Sequence, residues 1–144
     1  MKVDFYQLGE TPAEGALPLI ARNTLKAGER LLAVSADDAQ LVRISDALWA
    51  LKDSFLAHGV AGAPHQDRQP ILLSDNTEPA NGARYVALAD GVWRDAALTF
   101  ERVFLLFDGA TIDAARATWR MLDGRAGLER NFWRQEAGKW IKAA

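Results

Sequence analysis

The chain has 144 residues, 49% of them hydrophobic, which is enough to bury one sizeable core and predicts one domain over residues 1–144. Its formal net charge of −2 at pH 7 gives no overall positive field, so direct nucleic-acid binding is not expected. Cysteine is absent, which excludes disulfides, thiolate catalysis and cysteine-ligated zinc. No signal-like or membrane-spanning apolar run occurs, and we expect a soluble, cytoplasmic protein without membrane contact.

The first quarter of the chain predicts a strand followed by a helix. Residues 2–8 alternate in character and are rich in β-formers, so a strand is predicted almost at the N-terminus. Residues 9–15 predict a loop. Helical periodicity then runs over residues 17–26, where Pro18 would lie in the first turn and Gly28 would end the helix.

A second strand and helix repeat this order. Residues 30–34 predict a short apolar strand, and residues 35–38 carry side chains that cap helix N-termini. Asp37 and Asp38 lie where a Rossmann protein binds a ribose hydroxyl, but a cap is the commoner role for such a pair at a helix start. The helix that follows has a predicted buried stripe of Leu41, Ile44, Ser45 and Leu48. This order is typical of βαβ units and a parallel sheet.

The middle of the chain is less regular. Residues 51–69 predict a long surface loop, and it contains both histidines, His58 and His65. For these a surface or hydrogen-bonding role outweighs a metal or acid–base role. Residues 70–74 and 84–88 predict two further strands. The link between them is too short for a helical crossover, so they either pair as a hairpin or are joined over the sheet edge.

Residues 103–107 predict the central strand, because five successive large apolar side chains suit a strand covered on both faces. One helical turn is predicted before it, within residues 93–100. Residues 128–136 and 139–142 flank Ala137-Gly138 and predict a closing hairpin. The predicted fold class is a single-domain α/β protein, a mostly parallel twisted sheet with flanking helices and Rossmann-like topology. Glycine-rich phosphate-binding motifs are absent, so no cofactor is expected.

The helix after the central strand carries a candidate binding face. Spacings of three and four residues put Arg116, Trp119 and Arg120 together, which predicts a Trp119 ring between two guanidinium groups. An anionic, partly aromatic partner would suit this face. The alternative is a solvated helix edge on which Asp113 and Asp123 compensate the arginines.

Trp49 and Phe55 are candidates for a second surface. Trp49 is next to the predicted buried stripe of its helix, so a core position is one interpretation. Phe55 has no periodic reason for burial, and Leu51 adds a further apolar residue, which favours an exposed cluster. Five tryptophans are many for this length, and tryptophan and arginine are enriched at interface centres. A binding protein is therefore favoured over the alternative, a small nucleotide-binding enzyme on a Rossmann-like fold.

Five short segments spread over the whole chain carry a family resemblance. They are residues 4–8, residues 46–62 with Trp49 and Phe55, Phe107-Asp108-Gly109, residues 115–120, and Phe132-Trp133-Arg134-Gln135. In this combination the chain resembles the chi subunit of bacterial DNA polymerase III. The resemblance implies a single α/β domain without nucleotide activity. It also implies a non-catalytic adaptor that links the clamp loader, through the psi subunit, to the acidic C-terminal tail of single-stranded DNA-binding protein.

The resemblance also implies roles for individual residues. Arg116 matches the family's principal tail-binding arginine, Trp119 and Arg120 match the neighbouring aromatic and basic positions, and Phe107 matches an apolar pocket position. Phe55, with Trp49 nearby, matches the surface used by psi and, in some bacteria, by a helicase-like partner. The sequence departs from the best-known members at residues 139–144 and by one residue in the turn near Gly124.

Overall fold

A computed structural model describes residues 1–144 and shows one eight-stranded sheet with three α-helices. In chain order the elements are β1 (Lys2–Gln7), α1 (Ala13–Lys26), β2 (Leu31–Val34), α2 (Asp38–Ala50), β3 (His58–Val60), β4 (Ile71–Ser74), β5 (Tyr85–Leu88), β6 (Arg102–Phe107), α3 (Ile112–Met121), β7 (Glu129–Glu136) and β8 (Lys139–Lys142). The spatial order is β3-β4-β2-β5-β6-β1-β7-β8, and only the β7–β8 pair is antiparallel. The predicted single-domain α/β class with a mostly parallel sheet is confirmed.

Both faces of the sheet are covered, which explains why β6 does not alternate between apolar and polar residues. Phe104 and Leu106 of β6 pack on the side that α1 and α2 cover, called here the α1/α2 face. Val103, Leu105 and Phe107 pack on the opposite side, the α3 face. β6 lies between β5 and β1, so the predicted buried central strand is confirmed.

The first helix begins earlier than the sequence pattern predicts. α1 starts at Ala13 with Pro12 as its N-cap, so residues 13–15 are helical and their assignment to a loop was wrong. Pro18 therefore lies in the second turn of the helix rather than the first. Its ring nitrogen cannot donate the hydrogen bond that other residues make at this position. The apolar periodicity missed this start because the buried residues of the first turn are alanines. The predicted end is confirmed, with Gly28 at a φ of +79° just beyond the helix.

The middle of the chain differs from the prediction. Residues 51–69 are not an unbroken loop, because β3 forms an edge strand parallel to β4. The hairpin alternative for β4 and β5 is wrong, since β2 lies between them and pairs with both. Asn81 fixes the connection, and its buried side-chain amide donates to the carbonyls of Leu31 at 3.3 Å and Gln69 at 3.0 Å. These pairings join residues far apart in the chain, which a local pattern does not report.

Three smaller predictions are confirmed. A single 3₁₀ turn, Asp95–Thr99, precedes β6. β7 and β8 form the closing hairpin around Ala137 and Gly138, whose φ values of +50° and +77° are those of a type I′ turn. Asp37 caps α2, since its carboxylate accepts a hydrogen bond from the N–H of Ala39 at 3.0 Å. None of the helices combines the length and the hydropathy that a membrane span requires.

Candidate functional site

The turn after β6 holds α3 at the surface of the α3 face. The carboxylate of Asp108 accepts hydrogen bonds from the N–H of Ala110 at 2.9 Å and of Thr111 at 3.2 Å, which directs the chain into the helix. Ala115 and Thr118 are buried beneath the helix. The opposite side of α3 therefore faces solvent, and this is where the sequence predicts a binding face.

Arg116 and Arg120 lie one turn apart on the solvent side of α3. The side chain of Arg116 is 59% exposed, and its one nearby carboxylate, Asp113, is 98% exposed with Oδ1 3.9 Å from Arg116 Nη1. An ion pair this long and this exposed contributes little free energy. Arg120 forms no ion pair, and Asp123, its predicted partner, binds Arg130 at 2.7 Å. Two guanidinium groups are thus available to an anionic partner.

Helical spacing predicted the ring of Trp119 between those two arginines, and this prediction is wrong. The ring is partly buried and turns towards the sheet, where it makes edge-to-face contacts with Phe5 and Phe132 at centroid distances of 5.2 and 5.7 Å. The cation over the ring is Arg130 of β7, whose guanidinium carbon lies 4.0 Å from the ring centroid. Arg130 also donates a hydrogen bond to the carbonyl of Trp119. A side chain from another element therefore orients the aromatic group of this face.

Sequence reasoning missed Arg130. The available signal was the two-residue period of a strand, which puts Arg130 and Phe132 of β7 on one side of the sheet. Both side chains contact Trp119 there. A cation over a tryptophan face contributes roughly 0.5–2 kcal/mol, depending on how far it is desolvated. Arg130 is therefore a support for the candidate site and not a part of its open surface.

Phe107 lies beneath the candidate site. Its side chain is 1% exposed, and its ring meets that of Phe132 at a centroid distance of 5.5 Å. Phe132 in turn contacts Trp119, so Phe107 is linked to the candidate site through the Phe132 ring. Met121, at the end of α3, is 53% exposed, but helical spacing puts it on another side of the helix from Trp119. We call Arg116, Trp119 and Arg120 the α3 surface.

The second predicted pair is brought together at the other edge of the sheet. Phe55 is 81% exposed and Trp49 is 53% exposed, and their ring centroids are 5.8 Å apart. The core interpretation of Trp49 is therefore wrong, and the exposed cluster is confirmed. His58 joins it, with its ring centroid 4.3 Å from that of Trp49. We call Trp49, Phe55 and His58 the Trp49–Phe55 surface.

Two anchors hold the Trp49–Phe55 surface in place. The His58 ring hydrogen-bonds through Nε2 to the Ser45 hydroxyl at 2.7 Å and through Nδ1 to the Leu56 carbonyl at 2.8 Å. The predicted hydrogen-bonding role of His58 is thus confirmed. Ser45 is only partly buried, unlike the rest of its predicted stripe, and it lies at the edge of the helix that faces His58. Leu56 is 3% exposed and ties the loop to the core beside Phe55.

The two candidate surfaces are well separated. α2 packs on the α1/α2 face, next to the β3 edge, whereas α3 packs on the opposite face over β1 and β7. β3 and β1 are five strand positions apart in the sheet, which is about 24 Å at the usual strand spacing. A partner on one surface therefore leaves the other surface open.

A crevice of about 360 Å³ lies at the carboxyl ends of β1 and β6, where doubly wound folds bind nucleotides. Four carboxylates line it, those of Glu10, Glu14, Asp90 and Asp108. Its one arginine, Arg43, is paired with Glu14 at 3.3 Å. Arg94 also pairs with Asp90 at 2.9 Å, which leaves Glu10 and Asp108 without an ion pair, and their negative charge disfavours phosphate groups.

Asp90, the carboxylate that Arg94 compensates, is ionised although it is partly buried. Burial raises the pKa of Asp90, but hydrogen bonds from Arg94 and from the N–H groups of Ala36 and Val92 outweigh it. The pKa of this carboxyl therefore lies below its ordinary value, and the group remains ionised at neutral pH. No group of three or more metal-ligating side chains occurs in the structure.

Comparison with known proteins gives one result for the whole chain. A family model described as DNA polymerase III chi subunit, HolC, matches residues 1–140. No curated protein matches the chain.

Proposed function

The chain belongs to the DNA polymerase III chi subunit family, and we propose that it is a non-catalytic adaptor that joins two proteins through separate surfaces. Family membership supports a replication accessory role without chemistry of its own. One proposed partner is the acidic C-terminal tail of single-stranded DNA-binding protein. The other is the psi subunit of the clamp loader or a helicase-like protein.

The observation that carries this proposal is the pairing of two unlike surfaces on opposite faces of one sheet. One surface offers two arginines without a strong internal partner, and the other offers two exposed aromatic rings. Because the surfaces lie on opposite faces of the sheet, beside strands about 24 Å apart within it, both partners can bind at once. An adaptor requires this arrangement, whereas a single-site enzyme does not.

The α3 surface suits the chemistry of the tail. A tail that ends in acidic residues, proline and phenylalanine needs a guanidinium for its terminal carboxylate, an apolar contact for its ring and further positive charge nearby. Arg116 would bind the carboxylate and Arg120 would attract the acidic residues. Trp119 would contact the ring, with Phe107 as support from below.

The Trp49–Phe55 surface suits a partner that buries apolar area. An 81% exposed phenylalanine beside a half-exposed tryptophan is an apolar patch of the kind found at protein interfaces. Leu56 and the His58 hydrogen bonds hold the patch in a fixed shape, which lowers the entropy lost on binding. We assign psi or the helicase-like partner to this surface.

Calorimetry with the purified protein tests the tail assignment. We expect a synthetic peptide of the single-stranded DNA-binding protein tail to bind in the micromolar range, and ATP and NAD to give no heat of binding. Nucleotide binding is disfavoured because the crevice where it would occur is lined by four carboxylates. Binding of a nucleotide without binding of the tail would overturn the adaptor proposal in favour of the nucleotide-dependent enzyme.

A further inference from the structure

A groove lies directly beside Phe55, between the C-terminal half of α1 and the loop after α2. Its volume is about 380 Å³, and Leu25, Leu56 and Phe55 provide its apolar lining. Arg22 and Lys26 of α1 line the same groove. These two cations belong to none of the predicted sites, because the α1 sequence shows only ordinary helical periodicity. The groove therefore combines apolar and basic character next to the most exposed aromatic ring of the molecule.

Arg22 is unusual among the arginines of this chain. Its Nε is withdrawn from solvent and has no hydrogen-bond partner, and no carboxylate lies within 4.0 Å of its guanidinium. Arg94 and Arg102, by contrast, each bind a carboxylate at 2.9 and 2.8 Å. A buried donor without a partner is unfavourable and calls for an explanation. Because Nε itself is covered, a partner molecule would reach this guanidinium through its two Nη atoms, which bind no group of this chain.

The charge of the groove selects the kind of partner. Lys26 forms no ion pair, so both cations of the groove are uncommitted. Asp53 is the one carboxylate in the lining, and it pairs with neither cation. The lining therefore carries a net charge of +1, from two cations and one anion. One excess charge is too little for a nucleic-acid backbone, which needs several phosphate contacts, but it suits one acidic side chain.

We infer that this groove binds an acidic and apolar segment of the protein that docks on the Trp49–Phe55 surface. An apolar side chain of the segment packs against Phe55 and Leu25, and a neighbouring carboxylate binds Arg22 and Lys26. This inference rests on the proposed function, and it extends the partner surface from the loop onto α1. It also assigns to that partner a chemistry, an acidic residue close to an apolar anchor.

The test uses the full chain and the purified psi subunit or helicase-like protein, whichever binds the wild type through Phe55. Arg22→Ala and Lys26→Ala should each weaken that binding about tenfold or more, by loss of a charge pair at a partly desolvated site. Arg68→Ala is the matched control. Arg68 is exposed, forms no ion pair and lies outside the groove, so its loss changes the net charge equally without touching the lining.

Asp53→Asn should change the partner affinity in the opposite direction. Asp53 has a φ of +59°, which asparagine tolerates, so the backbone should remain intact. Removal of this anion should strengthen binding of an acidic segment a few-fold, whereas it should weaken binding of a basic one. Arg22→Glu should abolish binding, and exchange of the partner's acidic residue for lysine should restore it.

Thermal unfolding and tail binding show whether a result concerns the groove alone or the proposed adaptor function on which it rests. Each variant should keep a wild-type affinity for the tail peptide and a melting temperature within about 2 °C of the wild type. If Phe55→Ala removes partner binding but Arg22→Ala and Lys26→Ala do not, the groove is not part of the interface and the adaptor proposal stands. If neither partner binds through Phe55, both the groove and the partner surface are wrong.

Discussion

The α3 surface and the Trp49–Phe55 surface expose opposite parts of their side chains. On α3 the aromatic ring of Trp119 is turned inwards under Arg130, and the charges of Arg116 and Arg120 remain outside. On the other surface the aromatic rings themselves are outside. The first surface thus attracts a charged ligand over a distance, whereas the second gains free energy only when a partner covers it.

This difference also separates stability from binding. Groups that are already exposed in the free protein add little to its folding free energy, so their removal should alter binding alone. Arg130 is the exception on the α3 side, because it packs on Trp119 while it supports the surface. Variants at exposed and supporting positions therefore test the comparison from both directions.

The largest effect is expected for Phe55→Ala. It removes an 81% exposed ring, and we expect association with psi or the helicase-like protein to weaken by about 2–4 kcal/mol or to be lost. Tail binding should not change. Val42→Ala is the control, because Val42 is 61% exposed on α2, the helix that carries Trp49, and lies outside the cluster. A fall of several degrees in the melting temperature of Phe55→Ala would mean that the ring serves core packing.

Arg116→Ala should reverse this pattern. Loss of a charge-assisted contact to the terminal carboxylate should weaken tail binding by about 2–3 kcal/mol. Arg116→Lys should recover only part of the affinity, because an ammonium cannot make a bidentate contact. Calorimetry with the tail peptide measures both, and Arg68→Ala serves as the charge-matched control. Unchanged affinity in Arg116→Ala would move the tail site away from α3.

Those parts of the fold that depend on residues close together in the chain could be predicted from the sequence. The apolar run of β6 identified a central strand, and the absence of periodicity around Phe55 identified an exposed ring. β3 was missed because three residues carry no pattern of their own and form a strand only by pairing with β4. Asn81 was missed for a similar reason, since its carbonyl partners lie in other segments.

The candidate sites show the same division. Helical spacing put Arg116 and Arg120 on one face, as the structure does, but it could not say that Arg130 would occupy the face of Trp119. That contact joins a helix to a strand, and the same Arg130 side chain pairs with Asp123, which the sequence assigned to the α3 arginines. The sequence therefore predicted which residues are on the surface better than it predicted what they touch.

Arg130→Met tests whether a supporting residue of the α3 surface affects stability more than tail binding. The variant keeps an apolar stem over Trp119 but removes the cation and its hydrogen bond, so the free energy of unfolding should fall by about 1 kcal/mol. Tail affinity should fall less than in Arg116→Ala. Urea unfolding and calorimetry measure the two effects. Asp123→Asn is the control for the ion pair, whose carboxylate is 72% exposed and should contribute almost nothing.

The smallest effect expected is that of salt on tail binding. In the proposed complex, acidic residues of the tail would interact with Arg120 across solvent, where screening acts over about 8 Å at physiological ionic strength. The proposed contact of the terminal phenylalanine with Trp119 would not depend on ions. The complex should have a micromolar Kd, which corresponds to a binding free energy of roughly −7 to −9 kcal/mol. An increase in salt should therefore raise this Kd a few-fold without eliminating binding.

Peptide variants at two salt concentrations separate these contributions. Deletion of the terminal phenylalanine removes both the ring and the correctly placed carboxylate, so it should cost more affinity than neutralisation of any one acidic residue. The truncated peptide should also lose the salt-resistant part of the binding. If truncation has no effect and salt alone abolishes binding, the α3 surface is a diffuse basic patch. The pocket attributed to Phe107, Arg116 and Trp119 would then be wrong, and only the Trp49–Phe55 surface would remain as a specific site.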